Sequence, residues 1–282
     1  MILIADGGST KVDWIALDEQ KQEFFRTRTK GLNPAIISKE VIKDRITHNF
    51  ELARYKDKIT EIHFYGAGCS TPKLTQKLKE ELSVFFKNAI IKVQEDMIAA
   101  VFAASGGKES IVCILGTGSN STYFDGLVAH ENVPSLGYTL MDEASGNYFG
   151  KQLLVDYFYK KMPINIAKDF VANYNLDPDE IKRNLYIENS PNAYLGSFAE
   201  FMFKHKESEY IQHIIKEGFE LFFNRQILSY NKPVNIPIYF IGSIAYYFKP
   251  FLEEVAQKHG LIIAGVLQRP INNLIKYHQK LT

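Results

Sequence analysis

Ile2-Leu3-Ile4-Ala5-Asp6-Gly7-Gly8-Ser9-Thr10-Lys11-Val12-Asp13-Trp14-Ile15-Ala16 is the stretch that decides the reading of this chain. A short apolar run ends in an acid. Two glycines, two hydroxyls and a lysine follow, and then an alternating run begins. The pattern predicts strand, tight turn, strand. Glycines permit a sharp turn and a close approach by a ligand. The N–H groups of such a turn, with the hydroxyls of Ser9 and Thr10, suit phosphate oxygens. Asp6 at the strand end suits a hydrated Mg²⁺, which takes few carboxylates and keeps several waters. An ordinary Gly-Gly hairpin is the competing reading of this one turn.

A second turn of the same kind lies about a hundred residues on. Ser110-Ile111-Val112-Cys113-Ile114-Leu115 reads as a buried strand, and it runs into Gly116-Thr117-Gly118-Ser119-Asn120-Ser121-Thr122-Tyr123. Neither turn is a Walker loop, because no Gly-x-x-x-x-Gly-Lys-Ser/Thr occurs in the chain. Neither is a dinucleotide fingerprint, which needs a helix after the turn where a strand is predicted here. Two such loops suggest two related half-molecules facing one nucleotide. Between them, the strand Ala89 to Val93 ends in acids and an Ala-rich helix starts at once. Asp96, at that helix start, is either an N-cap or a general base that takes a proton from a hydroxyl nucleophile. Its place between two phosphate loops favours the base.

These motifs carry a resemblance. The order Asp-Gly-Gly-Ser-Thr-Lys, Glu-Asp-x-x-x-Ala, Gly-Thr-Gly-Ser-Asn and Gly-Tyr-x-x-x-Asp-Glu-x-Ser resembles the N-acetylglucosamine kinases and the related BadF/BadG/BcrA/BcrD-type ATPases. Both belong to the sugar kinase, actin and heat-shock chaperone ATPase superfamily. The resemblance spans nearly the whole chain. It implies an α/β fold of two actin-like (ribonuclease H-like) domains, each a mixed sheet flanked by helices, with an active-site cleft between them. Residues 1–105, with the terminal segment 270–282 packing back, would form the first domain and residues 106–269 the second.

The resemblance also assigns roles. Gly7, Gly8, Ser9, Thr10 and Lys11 would form the first phosphate loop, and Gly116, Thr117, Gly118 and Ser119 the second. Gly242 and Ser243, in Ile241-Gly242-Ser243-Ile244-Ala245, match the adenosine-binding turn. Asp96 matches the catalytic aspartate. Asn33, Asn120, Gly137 and Asp142 match sugar-contacting positions, and Asp6 would hold Mg²⁺. The implied activity is ATP-dependent phosphorylation of a sugar hydroxyl, N-acetylglucosamine or a related amino sugar first. The alternative is a nucleotide-sensing regulator on the same fold, without a sugar substrate. Human-type members carry Gly-Trp-Gly where this chain has Ser135-Leu136-Gly137, and a glycine before the Asp-Glu pair where it has Met141. The tryptophan lies near the sugar, so this difference bears on the exact sugar more than on the reaction. The BadF-type relatives supply cysteines for an iron–sulfur cluster, for which two isolated cysteines per chain are a poor match. The chain is also short for the family, which implies trimmed loops in the second domain.

Composition fits a cytosolic enzyme. Lys and Arg number 33 against 32 Asp and Glu, which gives no electrostatic case for nucleic acid or an anionic membrane as partner. The N-terminus enters a strand with no charged leader, so a signal peptide is not expected, and no apolar run is long enough to span a bilayer. The two cysteines, Cys69 and Cys113, form no C-x-x-C pair, as expected of a reducing compartment without a zinc site. Cys69 is expected to be a small buried hydrophobe. The expected partners are a small-molecule sugar and ATP; the oligomeric state is left open, a homodimer included.

The rest of the chain reads as α/β. Strands are expected at 2–6, 11–18 and 22–30, a helix from Lys39 to Tyr55, a strand at 61–66, and a helix begun by Ser70-Thr71-Pro72. Strand 89–94 and a helix from Met97 follow, and Gly106-Gly107 is the crossing into the second half. That half repeats the opening of the first: strand, glycine loop, strand, then a short strand near Leu127 to His130. Helices dominate from Gly146 to Phe223. There Tyr148, Phe149, Leu153, Leu154, Tyr157, Phe158 and Tyr159 read as core. Asp177-Pro178-Asp179-Glu180 is a helix start rather than a calcium loop. Pro237 to Ile241 is a buried strand, and Pro270 to Gln279 a terminal helix. The seven histidines show no metal-binding spacing. His63 is expected to face away from the core or to bond a neighbour.

Overall fold

The computed structural model describes residues 1–8, 11–188 and 190–280. Ser9 and Thr10 of the first glycine turn therefore lie outside the described residues. The chain divides into two compact units, Met1–Gly107 with Pro270–Thr282, and Lys108–Arg269. The second unit is thus inserted in sequence before the last segment of the first.

The first unit holds strands β1 (Ile2–Gly7), β2 (Lys11–Leu17), β3 (Glu23–Lys30), β4 (Glu61–Gly66) and β5 (Ile90–Glu95), with helices α1 (Lys39–Thr47), α2 (Phe50–Tyr55), α3 (Pro72–Phe85) and α4 (Asp96–Ser105). The sheet order is β3-β2-β1-β4-β5. The first three strands form an antiparallel meander, and β4 and β5 run parallel to β1. Period-two alternation sends Leu3, Ala5, Val12, Trp14, Ile62, Phe64 and Val93 into one core with Ile42, Ile46, Leu52, Leu78 and Leu82 of the helices. Trp14 satisfies its indole by donating to Thr29 Oγ1 at 3.0 Å. On the opposite face lie α4 and the terminal helix Ile271–Lys280. They are joined by the stacked rings of Phe102 and Tyr277 and by Asn273 Nδ2 donating to the Ala103 carbonyl.

The expected helix from Lys39 to Tyr55 is two helices. Asn49 breaks it: its Oδ1 accepts from Leu52 N at 3.0 Å, and its Nδ2 donates to Thr27 Oγ1 and the Arg28 carbonyl. A side chain that caps a new helix and also ties down the neighbouring strand outcompetes continuation of the old helix. His63 bonds Glu61 at 3.0 Å and sits 4.3 Å, ring to ring, from His278.

The second unit holds β6 (Ser110–Leu115), β7 (Ser119–Phe124), β8 (Ala129–His130), α5 (Gly146–Phe158), α6 (Ile164–Asn173), α7 (Pro178–Tyr186), α8 (Pro191–Phe198), α9 (Glu200–Lys204), α10 (Glu209–Phe222), β9 (Ile238–Ile241), α11 (Ser243–Tyr247), α12 (Lys249–Lys258) and β10 (Ile263–Leu267). Its sheet order is β10-β9-β6-β7-β8. Again three antiparallel strands are followed by two parallel to the first of them, so the echo heard in the glycine turns extends to the strand order. The core is aromatic: Phe149, Phe170, Phe201, Phe219, Phe222, Phe223, Phe240 and Phe248 are all fully buried. Helices α5 and α8 meet backbone to backbone, since a Cβ on Gly150 would lie 1.8 Å from the Leu195 carbonyl oxygen.

Two expectations need correction here. Phe158 and Tyr159 are 46% and 75% exposed rather than core, because α5 ends at Phe158 and the chain turns there. Strand β8 shrinks to Ala129–His130, because Asp125 Oδ1 accepts from the N–H of both Leu127 and Val128 and makes those residues a turn. Among the described residues no helix is long and apolar enough to cross a membrane.

Candidate functional site

In the first unit, three parallel strands end level: Gly7 pairs with Gly66, and Gly66 with Glu95. Asp6 lies one residue inside that edge. Asp96 follows Glu95 directly and is the first residue of α4, so the cap position falls to Glu95, which makes no side-chain cap bond. Gly8 N donates to the Lys11 carbonyl at 2.8 Å. Lys11 Nζ lies 3.8 Å from Asp13, which also takes Arg28 Nε at 2.6 Å. Burial pushes the Asp6 carboxyl up to about 6; Asp13 adds to this and Lys11 opposes it. Asp96 is likewise pushed up to about 6, by burial and then by Asp6, while the N–H groups of Met97 and of Asp96 itself pull the other way.

Asn33 sits in the loop Gly31-Leu32-Asn33-Pro34. Its Oδ1 accepts from Ala35 N at 2.9 Å, and its carbonyl takes the N–H groups of Ile36 and Ile37. The loop is fastened from two helices. Arg45 of α1 donates to the Gly31 carbonyl, and Lys77 Nζ of α3 to the carbonyls of Pro34 and Ile37 at 2.7 and 2.6 Å. The Asn33 side chain lies against Gly68, where a Cβ would stand 2.0 Å from Asn33 Oδ1. Cys69, next to that glycine, is buried, and its thiol is pushed up to about 12 by burial, Asp96 and Glu95. It stays protonated at neutral pH.

In the second unit the turn Gly116-Thr117-Gly118 joins β6 to β7, closed by Gly116 N donating to the Gly118 carbonyl at 3.0 Å. The start of α5 clamps it: Gly146 N donates to the Gly116 carbonyl at 2.8 Å and Asn147 N to that of Thr117 at 2.9 Å. Asp142 closes on the same turn. Its Oδ1 accepts from Ser119 N at 3.3 Å and its Oδ2 from Asn147 Nδ2 at 2.7 Å, while Ser145 Oγ donates to Asn147 Oδ1 at 3.0 Å. A Cβ on Gly118 would lie 2.9 Å from Asp142 Oδ2, so no larger residue fits there without moving the carboxylate. Burial raises the Asp142 carboxyl; the bonds from Asn147 and Ser119 work against the rise.

Gly242 follows β9 at φ 122°, and a Cβ there would meet the Leu115 carbonyl oxygen at 2.1 Å. Only glycine allows the chain to pass over the end of β6 at that point, and α11 then starts at Ser243. Gly137, at φ 80°, heads the turn into Asp142 and accepts from the N–H groups of Leu140 and Met141. Leu136, which stands where the human-type members have tryptophan, is 58% exposed.

The fold thus gathers Asp6 and Asp96 in the first unit. In the second it gathers the Gly116-to-Ser119 turn, Asp142 and Gly242. Asn120 is drawn elsewhere, to Glu131 at 3.4 Å. Sequence reasoning passed over Asn147, Ser145 and the Glu143–Arg225 pair. The Ser-x-Asn after the Asp-Glu pair was the available signal, because a serine two residues before an asparagine at a helix start can cap and bridge. A surface groove of about 690 Å³ also opens beside Phe158, Ile164 and Val171. Its described walls are apolar apart from Lys160, Lys168 and the Tyr157 hydroxyl.

The donor sets fit the groups that the resemblance implies. The Ser119 hydroxyl is buried without a hydrogen-bond partner among the described residues, as a phosphate-loop donor would be before its ligand arrives. Asp6 adds to the proton affinity that burial gives Asp96, as Asp13 does for Asp6, and a divalent cation would relieve such repulsion between carboxylates. One or two carboxylates are also the usual protein share of a Mg²⁺ shell.

Two sheets of the same strand order, each opening on a glycine turn, define an actin-like ATPase fold of the sugar kinase class. The chain belongs to the N-acetylglucosamine kinase family: it is 35% identical to a proposed N-acetylglucosamine kinase from Porphyromonas gingivalis, over 100% of this chain and 99% of that one, at a TM-score of 0.92. A proposed N-acetylglucosamine kinase from Chromobacterium violaceum shares the fold at 12% identity and TM-score 0.75, covering 98% of each chain. So does a ROK family glucokinase from Streptomyces griseus, solved with glucose and AMPPNP, at 14% identity and TM-score 0.57, over 98% of this chain and 97% of that one. No protein-family profile and no curated protein matches the chain.

Proposed function

We propose that this protein transfers the γ-phosphoryl group of ATP to a hydroxyl of N-acetylglucosamine or a related amino sugar. The observation that carries the reading is Asp96, a carboxylate at a strand–helix junction whose proton affinity is raised to about 6 beside Asp6. A general base works best when its pKa lies near the operating pH. Phosphoryl transfer asks for positioning and charge neutralisation more than for covalent help.

In this reading the Gly7-Gly8 backbone, Ser9, Thr10 and Lys11 hold phosphate, as do Gly116 to Ser119. Gly242 and Ser243 border the adenosine. Asn33 and Asp142 orient the sugar, with Asn120 and Gly137 beside it. A sugar lacking a matched hydroxyl leaves buried polar groups unpaired and binds poorly. Asp96 takes the proton of the attacking hydroxyl. Asp6 would hold Mg²⁺, largely through water, and the ion when bound offsets charge on the phosphates. Leu136 makes the N-acetyl side of the pocket less enclosed than tryptophan would.

The test is a panel of N-acetylated amino sugars, free amino sugars and plain hexoses with Mg²⁺ and ATP, scored by ADP release and by the mass of the sugar product. The expected outcome is phosphorylation of N-acetylglucosamine, with modest selectivity over glucosamine. Tight ATP binding with no sugar turned over would reject the kinase and return the nucleotide-sensing regulator.

A further inference from the structure

Glu143 is the second acid of the Asp-Glu pair and is 5% exposed. Arg225 Nη1 donates to its Oε1 at 2.7 Å. Its Oε2 is buried and has no hydrogen-bond partner among the described residues. A carboxylate in that state has lost water on one oxygen without replacement, which costs free energy unless a ligand supplies the missing donor.

The surrounding backbone is unusual in the same place. Asp142 at φ 69° and Ala144 at φ 57° flank Glu143, and both are left-handed without being glycine. Such strain gathers where a side chain must be aimed. Arg225 comes from the π-helical turn Phe223–Ile227. That turn sends Arg225 to Glu143 and the next residue, Gln226, to Ser121 Oγ at 3.0 Å. A π turn inserts a residue into the helical spacing and so re-aims what it carries.

We propose that Glu143 is a sugar-reading residue, with Oε2 accepting a hydrogen bond from a hydroxyl or amide N–H of the sugar and Arg225 fixing the carboxylate by its other oxygen. The inference rests on the sugar kinase reading. A carboxylate only accepts, so the partner must be a donor. Phosphate oxygens do not donate, which assigns the open oxygen to the sugar rather than to the phosphates of ATP. Glu143 would then discriminate among sugars by one donor group, a task separate from the proton transfer given to Asp96.

The experiment is calorimetric binding of N-acetylglucosamine, of analogues each lacking one hydroxyl or the acetamido group, and of a non-hydrolysable ATP analogue, to wild type and Glu143→Gln. The variant should bind N-acetylglucosamine on the order of 10- to 100-fold more weakly, the usual worth of a hydrogen bond to a charged acceptor, and the ATP analogue unchanged. One sugar analogue, that lacking the read donor, should bind wild type and variant alike. Weakening of every analogue by the same factor would reduce Glu143 to a structural ion pair and overturn the inference, as would wild-type affinity in the variant. If Glu143→Gln does not fold, Glu143→Asp, which keeps the charge and retracts it by one methylene, carries the same comparison. A wild type that binds the ATP analogue but no amino sugar overturns the sugar kinase reading itself, a result distinct from either of those.

Discussion

Asp6 and Asp96 are carboxylates whose surroundings favour the proton. Both rise from an ordinary value of 3.8 to about 6. A raised folded-state pKa stabilises the fold fully below the unfolded value, and that contribution is lost as pH climbs through the folded value. The ionised pair therefore opposes folding above about pH 6. Asp6→Asn should raise the melting temperature without added metal at pH 8, by ~2–4 °C for each kcal/mol relieved, and change it little at pH 4. Thermal melts across that range are the check, and an equal shift at both ends would remove the electrostatic cause. Asp96→Asn should keep the fold and cut turnover by about two to four powers of ten, the usual worth of a general base. In wild type kcat/KM should fall as pH drops below about 6, and the variant should lose that limb; near-normal turnover would remove Asp96 from the mechanism. The place of Asp96 at a strand–helix junction was legible in the sequence because an acid between a strand and an Ala-rich helix is a local pattern. Glu143 was not. Its surroundings come from left-handed backbone at Asp142 and Ala144 and from a partner, Arg225, that lies 82 residues further along the chain.

At the scale of elements, the glycine turns and the strand order around them were readable, since period-two alternation and turn chemistry are short-range signals. The break at Asn49 was less so, because its apolar stripe runs on through the break and the competing bonds go to a distant strand. The terminal helix adds a titrating contact to its apolar packing. His278 Nε2 and the Tyr65 hydroxyl share a hydrogen bond of 2.9 Å. Burial, and then His63, push its pKa from 6.5 down to about 4. Glu61, which pairs with His63 and with Lys92, opposes this, and Lys92 adds to it. A histidine depressed in the fold binds fewer protons folded than unfolded between about pH 4 and 6.5, so this group costs stability as pH falls through that window. His278→Gln leaves a hydrogen-bonding partner for Tyr65 and removes the titration. The difference in melting temperature between variant and wild type should therefore move in the variant's favour as pH goes from 7 to 4.5. A pH-independent difference would show that the helix is held by packing alone. Asp6 and Asp96 act in the opposite sense over the same range, which is why the difference between proteins, and not the wild-type curve, is the quantity to read.

The whole molecule repeats one device: three antiparallel strands, a glycine turn between the first two, and two strands parallel to the first. Asp6 lies in the strand that leads into the first turn, and the second turn is gripped by Asp142 and by the N-terminus of α5. Binding to the folded state alone stabilises the protein by mass action, about 2.7 kcal/mol at a ligand concentration a hundred times Kd. MgATP at that concentration should therefore raise the melting temperature of the chain by several degrees, given ~2–4 °C per kcal/mol for proteins of comparable size. Gly118→Val should abolish the shift. Its side chain would enter space now held by Asp142 Oδ2, 2.9 Å from the Cβ position, and would stand where phosphate must approach the backbone. Two controls separate those effects. Gly118→Ala adds only the Cβ, so it should move Asp142 but leave most of the approach open, and part of the shift should persist. Asp142→Asn relieves the contact's charge and should leave the nucleotide shift intact, because Asp142 is assigned to the sugar. A Gly118→Val protein that still shows the full MgATP shift would reduce the second glycine turn to a connection between β6 and β7, and the nucleotide would have to be sought on other residues.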